Sequence, residues 1–387
     1  MLIIRQGNQH CGVLRALCAA TVVLATANAQ ALQPPARWKG LIDLTIGGAN
    51  AVDGADFGRV AGLAVDGAGR VFVADRQDEQ IRMFSPAGVL VTKIGRSGSG
   101  PLEFRKLATI VIGPDQLLWV RDEGNARMQS IDVRRMPATS VKTIPLQQFT
   151  AGSQLPITFE ADGAIVDESI WFDPQLATFR TLLLHRSGTG EVRRVDTLPI
   201  PDGAMAGMHK VVTPQKDAAG KVVGMSERYM FQPYGPMWLR APGPSGVRAD
   251  AVGSRYQVAI FGADGKLLRT LRRVVPPVPL SARERHVADS TLKAVQGDLP
   301  FGVPSAKPPI IGMTWSQDGQ LWVERSTADG RPREADIYDA NGRLVAIAEW
   351  PRAIDITHRF SVIRGRTVHA IGTDDLDLER VVRLQFR

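Results

Sequence analysis

The 387-residue sequence predicts an all-β fold, a six-bladed β-propeller built of four-stranded antiparallel blades. Three observations predict it. One strand–turn–strand cassette recurs along the chain, a second strand–turn–strand element follows it, and the two ends of the chain carry complementary parts of one blade.

The recurring cassette is a short apolar strand, a tight turn containing Asp, and a second apolar strand. Its copies lie at residues 63–75, 110–122 and 313–324. Asp75 and Asp122 end the second strand of their copies and lie 47 positions apart, a period in the range of one propeller blade. The strands are apolar on both faces, which suits sheets that neighbouring blades cover on both sides.

The second element lies at residues 81–90, 256–267 and 336–344, each with a glycine in its turn, where hairpin turns favour positive φ. Together the two elements form a meander of strands a, b, c and d. The sequence predicts six meanders, at residues 58–95, 107–147, 155–199, 227–274, 308–350 and 354–387.

The two ends of the chain predict how the ring closes. The segment from Leu41 through Phe57 resembles the segment from Val89 through Phe104, which begins with a strand d. No strand a, b or c precedes Leu41, and the last meander has no room for a strand d. We therefore expect residues 41–46 to complete the sixth blade, because closure removes open sheet edges.

One helix and one loop interrupt the repeats. Ser281 and Glu284 have the spacing of a capping box, and Ala288, Leu292 and Val295 fall on one helical stripe, which predicts an amphipathic helix over 281–296 between blades four and five. Residues 201–226, rich in Gly, Met and Lys, are expected to form a long mobile loop.

Residues 1–31 have the pattern of a cleavable secretory signal peptide, which leaves a propeller domain over 32–387. Arg5 and Arg15 precede a short apolar run, and small-residue cleavage sites follow it. Both cysteines, Cys11 and Cys18, lie in this segment, so no disulfide is expected in the processed chain. We therefore expect a periplasmic or secreted protein that has no membrane span and is a monomer.

The formal net charge is +8, but the basic residues are scattered among acids and do not alternate with aromatic residues. This pattern argues against nucleic-acid binding. The chain also has no G-x-S-x-G elbow, P-loop or Rossmann glycine pattern. The glycine-rich stretch Gly95–Gly100 follows a strand rather than opening a helix, so it lacks the N-terminal amides that hold phosphate.

The chain resembles the NHL-like six-bladed β-propellers, most closely the secreted bacterial "6-bladed β-propeller" proteins. The resemblance is carried by residues 57–66, 95–104 and 267–280 and extends over nearly all of 38–387. Such propellers include protein-binding modules, lyases and lactonase-like hydrolases, so the resemblance implies the fold rather than one function.

The resemblance implies two metal sites to consider in the central channel. The lyases hold zinc with histidines, and the lactonase-like enzymes hold a divalent cation with Glu, Asn and Asp. The five histidines of the processed chain lack the close spacing of a local metal site, and no motif places Asn125 or Glu324 at the channel. No cofactor is therefore predicted, with calcium and zinc left as alternatives, and no catalytic residue is assigned.

The remaining candidates come from propeller geometry. The b–c loops and the connections between blades share one end of the ring, here called the loop face. An ordinary solvated rim is one interpretation; a surface that binds carboxylate or phosphate groups is the other, because Arg suits bidentate pairing with both. The candidate ligand-binding residues on this face are Arg59, Arg76, Arg121, Arg127, Trp171, Arg325 and His358.

The sequence thus favours an exported binding module for a small acidic ligand or a protein. The alternative is a metal-dependent lactonase-like hydrolase or a lyase with its site in the channel. Asp75 and Asp122 are expected to be structural, accepting backbone N–H bonds, and Trp119 and Trp322 are expected to pack between blades.

Overall fold

The strands of the fold follow the recurring cassettes. The computed structural model describes residues 34–49, 51, 54–146, 158–173, 178–295, 299–357 and 360–387, with the backbone alone at 170–173 and 178–179, so the predicted signal peptide lies outside the described residues. The strands from the first through blade two are β1 (Ala36–Gly47), β2 (Val60–Val65), β3 (Val71–Asp75), β4 (Gln80–Phe84), β5 (Leu90–Ile94), β6 (Arg96–Ser97), β7 (Glu103–Phe104), β8 (Leu107–Ile112), β9 (Leu118–Asp122), β10 (Arg127–Asp132) and β11 (Thr139–Pro145).

The middle of the chain contains blades three and four and two insertions. Its elements are β12 (Thr158–Phe159), β13 (Ile165–Asp173), β14 (Thr178–Arg186), β15 (Val192–Leu198), β16 (Met208–Lys216), β17 (Val222–Phe231), β18 (Trp238–Pro242), a 3₁₀ turn at Pro244–Gly246, β19 (Arg248–Val252), β20 (Gln257–Phe261), β21 (Leu267–Arg272), β22 (Val278–Pro279), α1 (Ala282–Lys293) and β23 (Ala306–Lys307).

Blades five and six complete the chain. Their strands are β24 (Ile310–Trp315), β25 (Leu321–Arg325), β26 (Arg333–Tyr338), β27 (Leu344–Trp350), β28 (Ile354–Asp355), β29 (Val362–Arg364), β30 (Thr367–Thr373) and β31 (Glu379–Phe386).

The sheets correspond to the blades. β2–β5, β8–β11, β12–β15 and β18–β21 each form a separate four-stranded antiparallel sheet. The nine-stranded sheet joins blade five, β24–β27, to blade six, which consists of β28 and β29 at the inner edge, then β30, β31 and β1. The predicted six-bladed β-propeller is confirmed.

The predicted ring closure is also observed. The second half of β1 pairs antiparallel with β31, from Gly40 opposite Phe386 to Gly47 opposite Arg380. The first half pairs in parallel with β27, so β1 also ties blade six to blade five. At the end of the ring that carries the a–b turns, residues from all six blades line one cavity of about 520 Å³, among them Val65, Gln116, Glu160, Ser245, Gln317 and Arg364.

The internal resemblance that predicted closure has a structural basis. Gly47 is the last residue of the outer strand β1 and Gly95 directly follows the outer strand β5, and both have positive φ, at 89° and 87°. A Cβ on Gly47 would lie 2.7 Å from the ring of Phe57, and one on Gly95 would lie 2.2 Å from the ring of Phe104. Glycine is required twice for the same reasons, since a phenylalanine ring packs against each of these backbones.

The hydrophobic core is divided among the seams between blades. Phe72, Met83 and Phe104 are buried between blades one and two, and Trp322, Trp350 and Phe386 between blades five and six. Further buried clusters join blades two and three, four and five, and six and one. Trp119, 6% exposed, and Trp322, 0% exposed, pack between blades as predicted.

Two expectations for the middle of the chain were wrong. Most of the segment expected to be a mobile loop over 201–226 instead forms the hairpin of β16 and β17, which extends past Met225 to Phe231. Blade four consequently begins at Trp238 rather than at residue 227, because residues 222–231 belong to the hairpin.

The predicted helix is present as α1. The Ser281 side chain accepts a hydrogen bond from the backbone N–H of Glu284 at 3.1 Å, and the Glu284 carboxylate accepts one from the backbone N–H of Ser281 at 3.0 Å. This reciprocal capping box satisfies N–H groups that helix geometry leaves without partners. Of the predicted stripe, Ala288 is buried and Leu292 and Val295 are half-buried.

The seam between blades three and four is polar. Glu168 of β13 is 10% exposed and pairs with Arg240 of β18, and His185 lies nearby, hydrogen-bonded to Glu160 at 2.8 Å and to Asp196 at 2.9 Å. Burial raises the pKa of Glu168 to about 7, although the attraction of Arg240 opposes the shift.

This seam should make folding stability depend on pH. The pKa of Glu168 is higher in the folded chain than its ordinary value of 4.5, so the folded state binds more protons between these values. The free energy of unfolding should therefore fall as pH rises through this window, by up to about 3 kcal/mol. Urea denaturation across the window should show that fall in the wild type and a flatter profile in Glu168→Gln. The exposed control Glu191→Gln should keep the wild-type profile, and an unchanged profile in Glu168→Gln would contradict the assignment.

Candidate functional site: a cationic groove between blades four and five

A groove opens on the loop face between blades four and five. It is formed by the segment after β17, the segment that carries α1 and β23, the loops after β19 and β25, and the segment that follows β27. One cavity of the groove has a volume of about 380 Å³, and its described lining includes Tyr234, Met237, Leu239, Glu284, Lys307, Ile310, Ile311, Ser326, Arg333 and Arg352. This size is in the range of a small-molecule site.

A buried ion pair forms the inner wall. Lys307 of β23 is 9% exposed, and its Nζ donates hydrogen bonds to Glu284 Oε1 at 2.5 Å and to the Thr327 carbonyl at 2.9 Å. Burial works against ionisation of Glu284, but the hydrogen bonds from Lys307 and from the Ser281 backbone outweigh it and lower the pKa of Glu284. Glu284 is therefore ionised at neutral pH, and its contact with Lys307 holds α1 against blade five.

Two arginines complete this cavity. Arg333 Nη2 lies 3.0 Å from Glu324 Oε2, a carboxylate that is 0% exposed. Arg352, with its side chain 48% exposed, lies 3.4 Å from Asp329 and 3.8 Å from Glu284. Arg352 is held loosely at the entrance, so its guanidinium is accessible to a ligand.

A second cavity of about 520 Å³ adjoins the first and shares Tyr234, Lys307, Pro308 and Ser326 with it. It is lined by Arg255, Arg273 and Arg325 and by rigid proline walls. Arg255 is exposed. Together the two cavities form the groove, with six cationic side chains and Glu284 as the single acid among their described lining residues.

A buried carboxylate positions two of these arginines. Asp336 is 0% exposed and accepts hydrogen bonds from the Tyr256 hydroxyl at 2.6 Å and from Arg325 Nε at 3.1 Å, and it also pairs with Arg273. Arg325 additionally lies 2.6 Å from Glu334. Tyr234 offers a neutral hydroxyl, since burial and the nearby Glu284 and Asp329 raise its pKa.

The arginines predicted from the sequence have different environments. Arg59 is exposed, and Arg76 lies 3.6 Å from Glu123. Arg121 is 1% exposed and pairs with Asp167 between blades two and three, so it does not lie on an open surface. Arg127 bonds Asp122 at 3.0 Å and three backbone carbonyls.

Arg325 is the member of the predicted set that lines the groove. Trp171 lies in β13, where the backbone alone is described, and His358 lies outside the described residues. Ligand binding by the predicted set stays a prediction.

The aspartates at the ends of strand b have the predicted structural role. Asp75 accepts backbone N–H bonds from Gly58, Arg59 and Gln77 at 2.9 to 3.1 Å. Asp122 accepts one from Arg105 at 2.8 Å. The glycine-rich stretch after β5 likewise holds a carboxylate of the chain itself, because Ser99 and Gly100 donate to Glu103 Oε2 at 3.0 and 2.8 Å.

The alternative of a channel metal stays a prediction. Within the described part of the chain, no three His, Cys, Asp or Glu side chains are grouped so that they could hold a metal ion. Of the candidates, Glu324 pairs with Arg333, and Asn125 donates to Asp122 at 2.7 Å. Burial lowers the pKa of His369 to about 4, so that imidazole is neutral at physiological pH.

Sequence reasoning missed most of the groove. Lys307, Arg333 and Arg352 come from three different segments, and no local pattern links them. The available indication was Glu284, which the capping box placed in the first turn of a helix but did not mark as the partner of a lysine.

The fold and this groove define the class of the protein as a six-bladed β-propeller with a ligand-sized groove on its loop face. A family model described as "6-bladed beta-propeller" matches residues 53–142, which confirms the resemblance predicted from the sequence. None of the curated protein sequences matches the chain.

Solved structures show similarity along most of the chain. A member of the DUF4221 family from Bacteroides vulgatus is 9% identical, with a TM-score of 0.45 over 92% of this chain and 99% of that one. A Bacteroides fragilis protein described as exported is 11% identical, with a TM-score of 0.42 over 91% and 99%. Virginiamycin B lyase from Staphylococcus aureus is 13% identical, with a TM-score of 0.40 over 90% and 98%.

No helix within the described residues has the length and apolar character needed to cross a membrane.

Proposed function

We propose that this protein is an exported binding module whose loop-face groove takes up a small acidic ligand. The observation that carries the proposal is the charge of the groove, where six cationic side chains and one carboxylate line two adjoining cavities. Cationic walls in a low-dielectric cleft raise the local concentration of anions.

The ligand would be held at two kinds of surface. Arg352 and Arg255 have accessible guanidinium groups that suit bidentate pairing with a carboxylate. Met237, Leu239 and Ile311 offer an apolar wall for the body of the ligand. These features favour a small carboxylic acid with an apolar portion over a bare inorganic anion.

Titration calorimetry with a panel of small mono-, di- and tricarboxylates and the matching amides tests the proposal. At least one carboxylate should bind, its amide should not, and Arg352→Gln together with Arg255→Gln should weaken binding by about ten- to a hundredfold, the worth of a charge-assisted hydrogen bond or two. The matched control is Arg135→Gln, an exposed arginine between β10 and β11. Equal affinity in the double variant and the wild type, or no binding of any carboxylate, would refute the proposal.

A further inference from the structure

The hairpin of β16 and β17, residues 208–231, lies outside the blades. Among the described strands, β16 and β17 pair only with each other. The base of the hairpin is fixed to the loop face: the His209 ring stacks on Phe301 at 4.3 Å, Val211 is 0% exposed, and Gln232 donates to the Gly302 carbonyl at 2.6 Å.

The free half of the hairpin, residues 212–226, exposes large apolar side chains. Val212, Val222, Val223 and Met225 are 37%, 51%, 62% and 60% exposed. Pro214 and Met225 are directly opposite each other and so share a face, on which Val212, two residues before Pro214, also lies. The hairpin lies outside the six blades, and an exposed apolar cluster on such an element is typical of a surface that binds another protein or a membrane.

Cations surround this apolar cluster. Lys216, Lys221 and Arg228 are exposed, and none of the described carboxylates lies within ion-pair distance of them. The two acids of the hairpin are already engaged: Asp217 accepts the backbone N–H groups of Ala219 and Lys221 at 2.9 Å, and Glu227 pairs with Lys210 at 2.7 Å.

We propose that the free half of the hairpin docks the propeller on an anionic lipid surface. Valine and methionine side chains would enter the boundary between headgroups and acyl chains, while Lys216 and Lys221 would remain at the headgroups, an arrangement that long lysine side chains favour. A second copy of the chain is disfavoured as the occupant, because the unpaired cations of two hairpins would repel each other.

The docking surface, residues 212–226, is separate from the groove, although both lie on the loop face. Tyr234, which lines both cavities of the groove, follows the hairpin by three residues. The inference therefore stands whether or not the groove takes up an acidic ligand, and it concerns other residues.

Vesicle sedimentation of the full chain tests the inference. The wild type should bind phosphatidylcholine vesicles that contain about 30% phosphatidylglycerol more tightly than vesicles of phosphatidylcholine alone. Val223→Asp with Met225→Asp, and separately Lys216→Glu with Lys221→Glu, should each lower the partition coefficient on anionic vesicles by about tenfold or more. Because every variant carries the same N-terminal segment, differences between variants report the hairpin.

Matched controls are Val89→Asp with Val141→Asp, which are 63% and 56% exposed, and Lys93→Glu with Lys142→Glu, all on the blades. The controls should bind as the wild type does, and circular dichroism should show every variant folded. Equal vesicle binding by the hairpin variants and the wild type would overturn the inference. So would a concentration-dependent dimer in sedimentation velocity that the Val223→Asp, Met225→Asp variant abolishes, since a second copy would then be the occupant.

Discussion

Replacing Asp336 by alanine is expected to lower the free energy of unfolding by about 3–5 kcal/mol, because it removes a buried carboxylate that two arginines and a tyrosine hydroxyl share. Asp336 is 0% exposed and binds Arg273, Arg325 and the Tyr256 hydroxyl. Without the carboxylate, the two guanidinium groups would repel each other and the tyrosine hydroxyl would lose its acceptor. The groove should loosen with the fold, since both arginines line it.

Tyr338→Phe is the matched control. The Tyr338 hydroxyl lies 3.0 Å from that of Tyr256, beside the same carboxylate, and its loss removes one neutral hydrogen bond worth about 1 kcal/mol. Urea denaturation followed by tryptophan fluorescence measures both variants. A loss below about 1 kcal/mol in Asp336→Ala would show that the network does not hold blades four and five together.

Trp38→Ala alone is expected to lower the free energy of unfolding by about 3–5 kcal/mol, because Trp38 anchors the strand that closes the ring. Its ring is 9% exposed, lies 6.2 Å from that of Trp322 and is covered by the Arg366 guanidinium at 4.7 Å. Its backbone pairs with Ala348 of blade five, so its loss would weaken both contacts of β1.

The control is Leu41→Ala on the same strand. Leu41 is 47% exposed, and its replacement should change the free energy of unfolding by about 0.5 kcal/mol or less. If Trp38→Ala were as mild as Leu41→Ala, β1 would not be the structural closure of blade six.

The ring could be predicted from sequence because its determinants are local and repeated. The cassette that ends in Asp75 recurs in the one that ends in Asp122, and each repeats the same strand, turn and strand. Gly47 with Phe57 and Gly95 with Phe104 form the same motif twice. Because the second copy follows an outer strand, comparing the two copies predicts that the first strand is also an outer strand.

The hairpin was mispredicted for the opposite reason. It occurs once, so no other part of the chain offers a comparison, and glycine and lysine near its turn are as typical of a loop as of a hairpin tip. Its long pairing, from Met208 opposite Phe231 to Lys216 opposite Val222, is clear only when both strands are seen together.

The groove could not be predicted because its charges meet through tertiary contacts. Sequence patterns place Arg121 and Arg325 near the end of strand b, one position apart in the aligned cassettes, but they do not say which carboxylate each one meets. Arg121 pairs with Asp167 of the next blade and is buried. Arg325 pairs with Asp336 and Glu334 of the blade to which it belongs and lines a cavity.

The central claim is that β1 closes a ring of six blades. Hydrogen–deuterium exchange of the backbone amides of β1 tests it most directly, because the position of the groove depends on that closed ring. Residues 40–47 pair with β31 on one side, so alternate amides of this segment donate to β31. These amides should exchange as slowly as those of β31 itself and far more slowly than those of the free half of the hairpin. Fast exchange of all amides in residues 40–47 beside a protected β31 would show an open ring and contradict the account.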